Sequence, residues 1–136
     1  MNAFLDTSAL IYLVEGVEAV ASTVRGRLGA LAQRHPDLSI ALSRLTWLEC
    51  RVGPLKAHDA ATLRRYDQLF AMPGIQWIEL TQSVVELATV VRVRHGLRTP
   101  DALQAACCLQ LGDRHRMLTG DAAFGRVEGL NVEPLC

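Results

Sequence analysis

Lysine is almost missing from this chain: of the 14 basic residues among its 136, only Lys56 is a lysine and the other 13 are arginine. Aromatic residues are sparse at 5%, and 14 acids against 14 bases leave no formal net charge. A zero balance excludes the general basic field that advertises a nucleic-acid binder. No apolar run approaches the roughly 18 residues of a membrane-spanning helix, the longest being 9–14 and 105–109. The four cysteines, Cys50, Cys107, Cys108 and Cys136, show no C-x-x-C spacing, which gives no zinc clasp or redox pair and leaves reduced thiols as the expectation. Asp6 interrupts the first apolar stretch, and neither a basic leader nor a small-residue cleavage site is present, so the expected location is the cytoplasm. Repeats, low-complexity tracts and linkers are also lacking.

What is present fits one globular domain over 1–136. Half of the residues are hydrophobic and 21% are charged. A chain of this length buries roughly 65–70% of its unfolded surface, enough for a core without metal staples. Arginine in place of lysine puts nearly every positive charge on a planar fork suited to phosphate or carboxylate, although Arg-favouring codon usage explains the bias equally well.

Strand-like and helix-like segments alternate. Residues 1–5 read as a buried strand, with Asp6, Thr7 and Ser8 offering caps to a helix over 9–15. A helix over 17–34 places Val20, Val24, Leu28 and Leu31 on one face, and Pro36 closes it. A strand at 38–42 leads into a helix from Ser43 whose stripe is Leu45, Leu48, Val52 and Leu55; a second helix over 58–72 completes a hairpin ending at Pro73-Gly74. After a strand at 75–80, a helix over 81–95 turns Val84, Leu87, Ala88 and Val91 inward and stops at Gly96. Thr99-Pro100-Asp101 signals another start, with Thr99 as cap, and the helix it opens is apolar nearly all round, which places it centrally. A strand at 116–119, a loop or short helical turn at 120–129 and a strand at 130–135 finish the chain. This alternation predicts an α/β fold of three layers around a parallel sheet with right-handed crossovers.

Ligands of open parallel sheets bind beyond the carboxyl ends of the strands. Asp6 leaves the first strand, Asp121 leaves the fourth, and Asp101 lies in the first turn of the central helix, so three carboxylates are expected to converge. Glu49, four residues after Leu45 and three before Val52, joins them on the inward stripe of its helix. A buried carboxylate needs a partner: an arginine such as Arg44 or Arg51, a metal, or a raised pKa. Four acids in one place repel each other unless a cation is present, and an all-oxygen donor set suits Mg²⁺ or Mn²⁺ better than Zn²⁺. Taken singly, Asp6 and Asp101 also serve as helix-start acids and Asp121 as a turn residue.

Four motifs, in order, are Leu5-Asp6-Thr7-Ser8-Ala9-Leu10-Ile11, Leu48-Glu49-Cys50-Arg51-Val52-Gly53, Thr99-Pro100-Asp101-Ala102-Leu103 with Ala105-Ala106, and Leu118-Thr119-Gly120-Asp121 with Phe124. Together they resemble the PIN-domain ribonucleases, most closely the VapC toxins of bacterial toxin–antitoxin pairs. The resemblance implies a five-stranded parallel sheet of order 3-2-1-4-5 and Mg²⁺- or Mn²⁺-dependent cleavage of RNA. Its acidic set maps to Asp6, Glu49, Asp101 and Asp121, with Asp6, Asp101 and Asp121 as metal ligands and Glu49 ligating through water or taking a proton. It implies in addition a homodimer and a small antitoxin partner. Thr7, Ser8 and Thr119 are expected to orient the carboxylates, and Arg98 and Arg126 to contact RNA phosphates. Trp47, Tyr66 and Phe70 on the helical hairpin are expected to be exposed toward the antitoxin. Two departures stand out, Gly120 where Asn is frequent and Gln104 where an apolar residue is common.

Two other classes share this length and layering. A receiver-type phosphoacceptor domain wants an acidic pair after the first strand, an acceptor Asp after the third and a Lys after the last; here Thr7 follows Asp6, Leu80 and Thr81 follow the third strand, and the single lysine is Lys56. A non-catalytic RNA- or protein-binding domain that keeps the acids for structure is the other.

Overall fold

The computed structural model describes residues 1–135. Five parallel strands form one sheet: β1 (Asn2–Leu5), β2 (Ser39–Ser43), β3 (Gln76–Ile78), β4 (His115–Thr119) and β5 (Val132–Pro134), in the order β3-β2-β1-β4-β5. Receiver domains are wound 2-1-3-4-5, so this order excludes them. Six helices connect the strands: α1 (Thr7–Glu15) and α2 (Glu18–Arg34), α3 (Arg44–Lys56) and α4 (Ala60–Phe70), and α5 (Gln82–His95) and α6 (Thr99–Leu109). A short 3-10 turn at Ala122–Arg126 follows β4. No helix among the described residues is long and apolar enough to cross a membrane.

Alternation along β1 divides the interior in two. Ala3 and Leu5 point to one face, where they meet Leu10 of α1, Val24 and Leu31 of α2, Cys50 of α3 and Tyr66 of α4. Phe4 points to the other, against Val84, Ala88 and Val91 of α5 and the small residues of α6. Ala102, Ala105, Ala106, Cys107 and Cys108 are fully buried, so α6 lies as centrally as its composition predicts; small side chains let it approach the sheet closely. Cys50, Cys107 and Cys108 are free and buried, and burial pushes the Cys50 and Cys107 thiols up to about 12. Cys136 lies outside the described residues.

Four expectations need correction. The inward stripe of α3 is Thr46, Cys50 and Pro54, whereas Leu48, Val52 and Leu55 are exposed. Hydrophobic periodicity locates a stripe but not which side the fold covers, and here small residues let α3 sit against its neighbours. Tyr66 and Phe70 are core residues, stacked on each other with Trp77 edge-on to Phe70, and of the three hairpin aromatics only Trp47 is exposed. Val20 of α2 is exposed too, its place inside taken by Ala21. At the start of α6 the cap is Arg98, which has no capping side chain, while Thr99 is the first helical residue and its hydroxyl accepts from Arg92 at 2.7 Å. The α5 stop is as read: Gly96 adopts φ 69°, the left-handed conformation that favours glycine.

The chain steps outward from β1 through β2 to β3 and returns to β4 on the other flank of β1. The sheet reverses its winding between β1 and β4, and the crevice such a reversal opens lies at the carboxyl ends of those two strands.

Candidate active site

Asp6 leaves β1 at this crevice. It is 4% exposed and caps α1, its Oδ1 accepting from the Ala9 amide at 2.9 Å and the Ser8 hydroxyl at 2.7 Å, its Oδ2 from the Thr119 hydroxyl at 2.5 Å. The same two hydroxyls accept from the loop after β4, Ser8 from the Gly120 amide at 3.2 Å and Thr119 from the Asp121 amide at 3.0 Å. Ser8 and Thr119 thus stitch that loop to Asp6. Burial pushes the Asp6 carboxyl above its ordinary value; the bonds from Thr119, Ala9 and Ser8 oppose the shift and Asp121 adds to it.

Asp121 caps the 3-10 turn, its Oδ1 accepting from Ala123 at 2.9 Å, and is exposed. Asp101 is half-buried in the first turn of α6, with its carboxyl raised by burial first and then by the charges of Asp121, Asp6 and Glu49, while Arg98 pulls it down. Glu49 is half-buried on α3, and Thr7 donates to its Oε1 at 2.7 Å. It lies beside the buried stripe of α3 instead of on it. The arginines offered to it from sequence are engaged elsewhere, Arg44 with both oxygens of Glu79 at 3.0 and 2.7 Å and Arg51 with Asp67.

The four carboxylates, with Thr7, Ser8 and Gln104, line one pocket of about 120 Å³. A larger groove of about 360 Å³ between α5 and α6 has mostly apolar walls and no acid, so the chemistry points to the smaller pocket. Among the described residues none of the four forms a salt bridge. The donors are all oxygen, the charges are mutually unfavourable and only Arg98, acting on Asp101 at a distance, offsets them, a set that fits a hard divalent cation. Asp6 retains lone pairs beyond its three hydrogen bonds. No ready-made cluster of three or more ligating His, Cys, Asp or Glu side chains stands among the described residues.

Arg98 and Arg126 are exposed; Arg98 is felt electrostatically at Asp101, and Arg126 donates to the His95 carbonyl at 3.5 Å.

Two features of the site were not legible beforehand. Gln104, the one buried polar residue of α6, bonds Ser43, Thr46 and Thr7. The signal was a lone amide on an otherwise apolar helix. Gly120 lies against Tyr12: a Cβ there would be 2.6 Å from the Tyr12 hydroxyl oxygen and 2.7 Å from its ring, so any side chain at this position requires the tip of Tyr12 to shift.

Residues 3–130 match the family model described as PIN domain. The chain belongs to the PIN-domain family. Among solved structures, a toxin–antitoxin complex from Klebsiella pneumoniae contains a chain 27% identical to this one, with TM-score 0.72 and 98% of each chain covered. A chain of VapBC2 from Rickettsia felis, bound to a DNA fragment from its promoter, is 17% identical with TM-score 0.76, again with 98% of each covered. The Mycobacterium tuberculosis toxin VapC20, described as cleaving the sarcin–ricin loop, is 17% identical with TM-score 0.73, covering 97% of this PIN domain and 99% of that chain. The structural neighbours over nearly the full chain are thus VapC and FitB toxins of toxin–antitoxin complexes. Curated protein sequences give no match.

Proposed function

We propose that this PIN domain, acting as one unit over 1–136, is a Mg²⁺- or Mn²⁺-dependent endoribonuclease and the toxin of a type II toxin–antitoxin pair. The observation that carries the reading is the gathering of Asp6, Glu49, Asp101 and Asp121 at the reversal of the sheet with no salt bridge to any of them among the described residues.

Asp6, Asp101 and Asp121 would hold the cation. When bound there, it supplies Lewis acidity toward a phosphate oxygen and toward water, and offsets the charge gained in an in-line displacement. The protein's part is positioning and proton handling. Asp6 is held by three hydrogen bonds, so its oxygens do not have to reorganise as charge develops. Glu49, fixed through Thr7, takes the proton of the attacking water. Arg98, at the start of α6 beside Asp101, reaches for a phosphate of the RNA, and Arg126 extends the same basic rim. A small antitoxin carrying an arginine would neutralise the acids directly, and a homodimer is the expected assembly.

Cleavage of structured RNA by wild type and by Asp6→Asn, each with Mg²⁺, Mn²⁺ and EDTA, tests this. The expected result is metal-dependent cleavage that falls more than ~100-fold in the variant, because the ion contributes several kcal/mol of charge stabilisation; equal activity in both proteins refutes it. The absence of a ready-made three-ligand cluster favours a second reading, a PIN domain that binds RNA or protein without cutting. Calorimetric titration with Mn²⁺ separates the two: that second reading requires no binding.

A further inference from the structure

The catalytic reading of the pocket uses Thr7 and Glu49 but gives no role to the amide behind them. Gln104 is 2% exposed, and its three hydrogen bonds all go to hydroxyls. Its Oε1 accepts from the Ser43 hydroxyl at 2.9 Å, while its Nε2 donates to the Thr46 hydroxyl at 2.9 Å and the Thr7 hydroxyl at 3.1 Å. Ser43 caps α3, accepting from the Thr46 amide at 3.2 Å, so its own proton is available to Gln104. Thr7 Oγ1, once it accepts from Gln104, has one proton left, which goes to Glu49 Oε1 at 2.7 Å.

The direction of this chain matters. With the amide turned over, its oxygen would face Thr7 and Thr46, draw the Thr7 proton to itself and leave Glu49 without its donor. The orientation follows from the Glu49 end: an ionised carboxylate can only accept, so Thr7 gives it its proton and needs the donor Nε2 of Gln104 facing it, with the Ser43 hydroxyl at the end of β2 then donating to Oε1. Among the described residues no buried side-chain nitrogen or oxygen lacks a partner. Thr46 Oγ1 also lies 3.2 Å from Thr7 Oγ1 and 3.3 Å from Ser43 Oγ, contacts in which either hydroxyl can donate, and the ionised Glu49 carboxylate is the stronger acceptor for the Thr7 proton.

We propose that Gln104 is a positioning residue for Glu49: it sets the Thr7 hydroxyl as a donor and thereby holds the Glu49 carboxylate facing the pocket. The inference rests on the reading of Glu49 as the group that handles the proton. It explains why a polar residue stands on the buried face of α6, where burial of an amide without partners is unfavourable.

The test compares wild type, Thr7→Val, Gln104→Leu and their double mutant, with Gln104→Glu as an isosteric variant should the leucine protein fail to fold. In Gln104→Glu the introduced carboxylate, when ionised, accepts from all three hydroxyls and withdraws the Thr7 proton just as leucine removes its organiser. In metal-free protein labelled at glutamate Cδ, the Glu49 carboxyl ¹³C resonance is expected to move in Gln104→Leu in the same direction as in Thr7→Val, with the distant Glu18 and Glu128 unmoved. In RNA cleavage each single variant is expected to lose roughly 10–100-fold in kcat with KM unchanged, and the double mutant to lose no more than Thr7→Val alone, because the amide acts through the hydroxyl. An unmoved Glu49 resonance in the Gln104 variants, or losses that add in the double mutant, overturns the proposal. A wild-type protein that neither cleaves RNA nor binds Mn²⁺ overturns the nuclease reading instead, while the Glu49 resonance still decides whether Gln104 positions that carboxylate.

Discussion

Asp6 carries two duties whose demands conflict. As a helix cap it needs only an acceptor oxygen, which asparagine supplies as well as aspartate. As a charge it is buried near Asp101 and Asp121, and both Asp6 and Asp101 are raised above the ordinary aspartate value of 3.8. The native state therefore binds more protons than the unfolded chain over the window from 3.8 upward. Stability linked to these groups is fully present below that value, is lost as pH rises through their native-state values, and is absent at neutral pH. In EDTA, the wild-type Tm is expected to fall as pH rises from about 4 to 7 more steeply than that of Asp6→Asn, and at neutral pH the variant is expected to equal or exceed wild type. Added Mg²⁺ should stabilise wild type selectively. Thermal melts over that pH range check both, and a variant clearly less stable than wild type at neutral pH would contradict the account. The acids were legible because each follows a strand or opens a helix, positions that sequence marks plainly. Gln104 was not, because its three partners come from β2, α1 and α3 and meet only once the chain is folded.

At the level of elements, helices and strands were readable to within a few residues, and so was the central place of α6, because period and capping are local. The orientation of α3 was not. Its large apolar residues and its small buried ones form two competing stripes, and only tertiary packing selects Thr46, Cys50 and Pro54. Glu49 consequently borders the pocket from a helix whose outward face keeps Leu48, Val52 and Leu55 exposed. The loop between β4 and the 3-10 turn has a similar dependence on a distant residue, since Tyr12 of α1 closes the space above Gly120. Gly120→Ala is expected to cost about 1–3 kcal/mol through overpacking, and most of that cost should vanish in a Tyr12→Ala background. Urea unfolding of the four proteins in the cycle measures the coupling; strict additivity would show that the two residues do not meet.

Over the whole molecule, the zero net charge takes on a different meaning once the acids are located. Four of the 14 line one pocket, while exposed arginines such as Arg98 and Arg126 stand outside it. On the proposed function, a divalent cation bound there would offset the first group and leave the second facing a polyanion. Glu49→Gln, which keeps the three aspartates, is expected to bind structured RNA on the order of tenfold more weakly in EDTA than in Mg²⁺, a difference of ~1.4 kcal/mol, with affinity falling as salt rises. Filter binding at several salt concentrations reads both effects, and identical affinity with and without metal would argue against the charge segregation. The order of the strands could be expected only through the resemblance, since alternation predicts a parallel sheet but not how it is wound.

The sheet ends on both sides in three-residue strands, β3 at one edge and β5 at the other, and β5 finishes with Pro134. Exposed edges are templates for strand addition, and proteins blunt them by shortness and proline. Edge-to-edge polymerisation is thereby discouraged at both borders. A chain with a fully parallel, slowly assembled sheet gains from this protection whenever its rim is transiently uncovered, and partners that recognise the folded protein find helices and loops in place of a strand to extend.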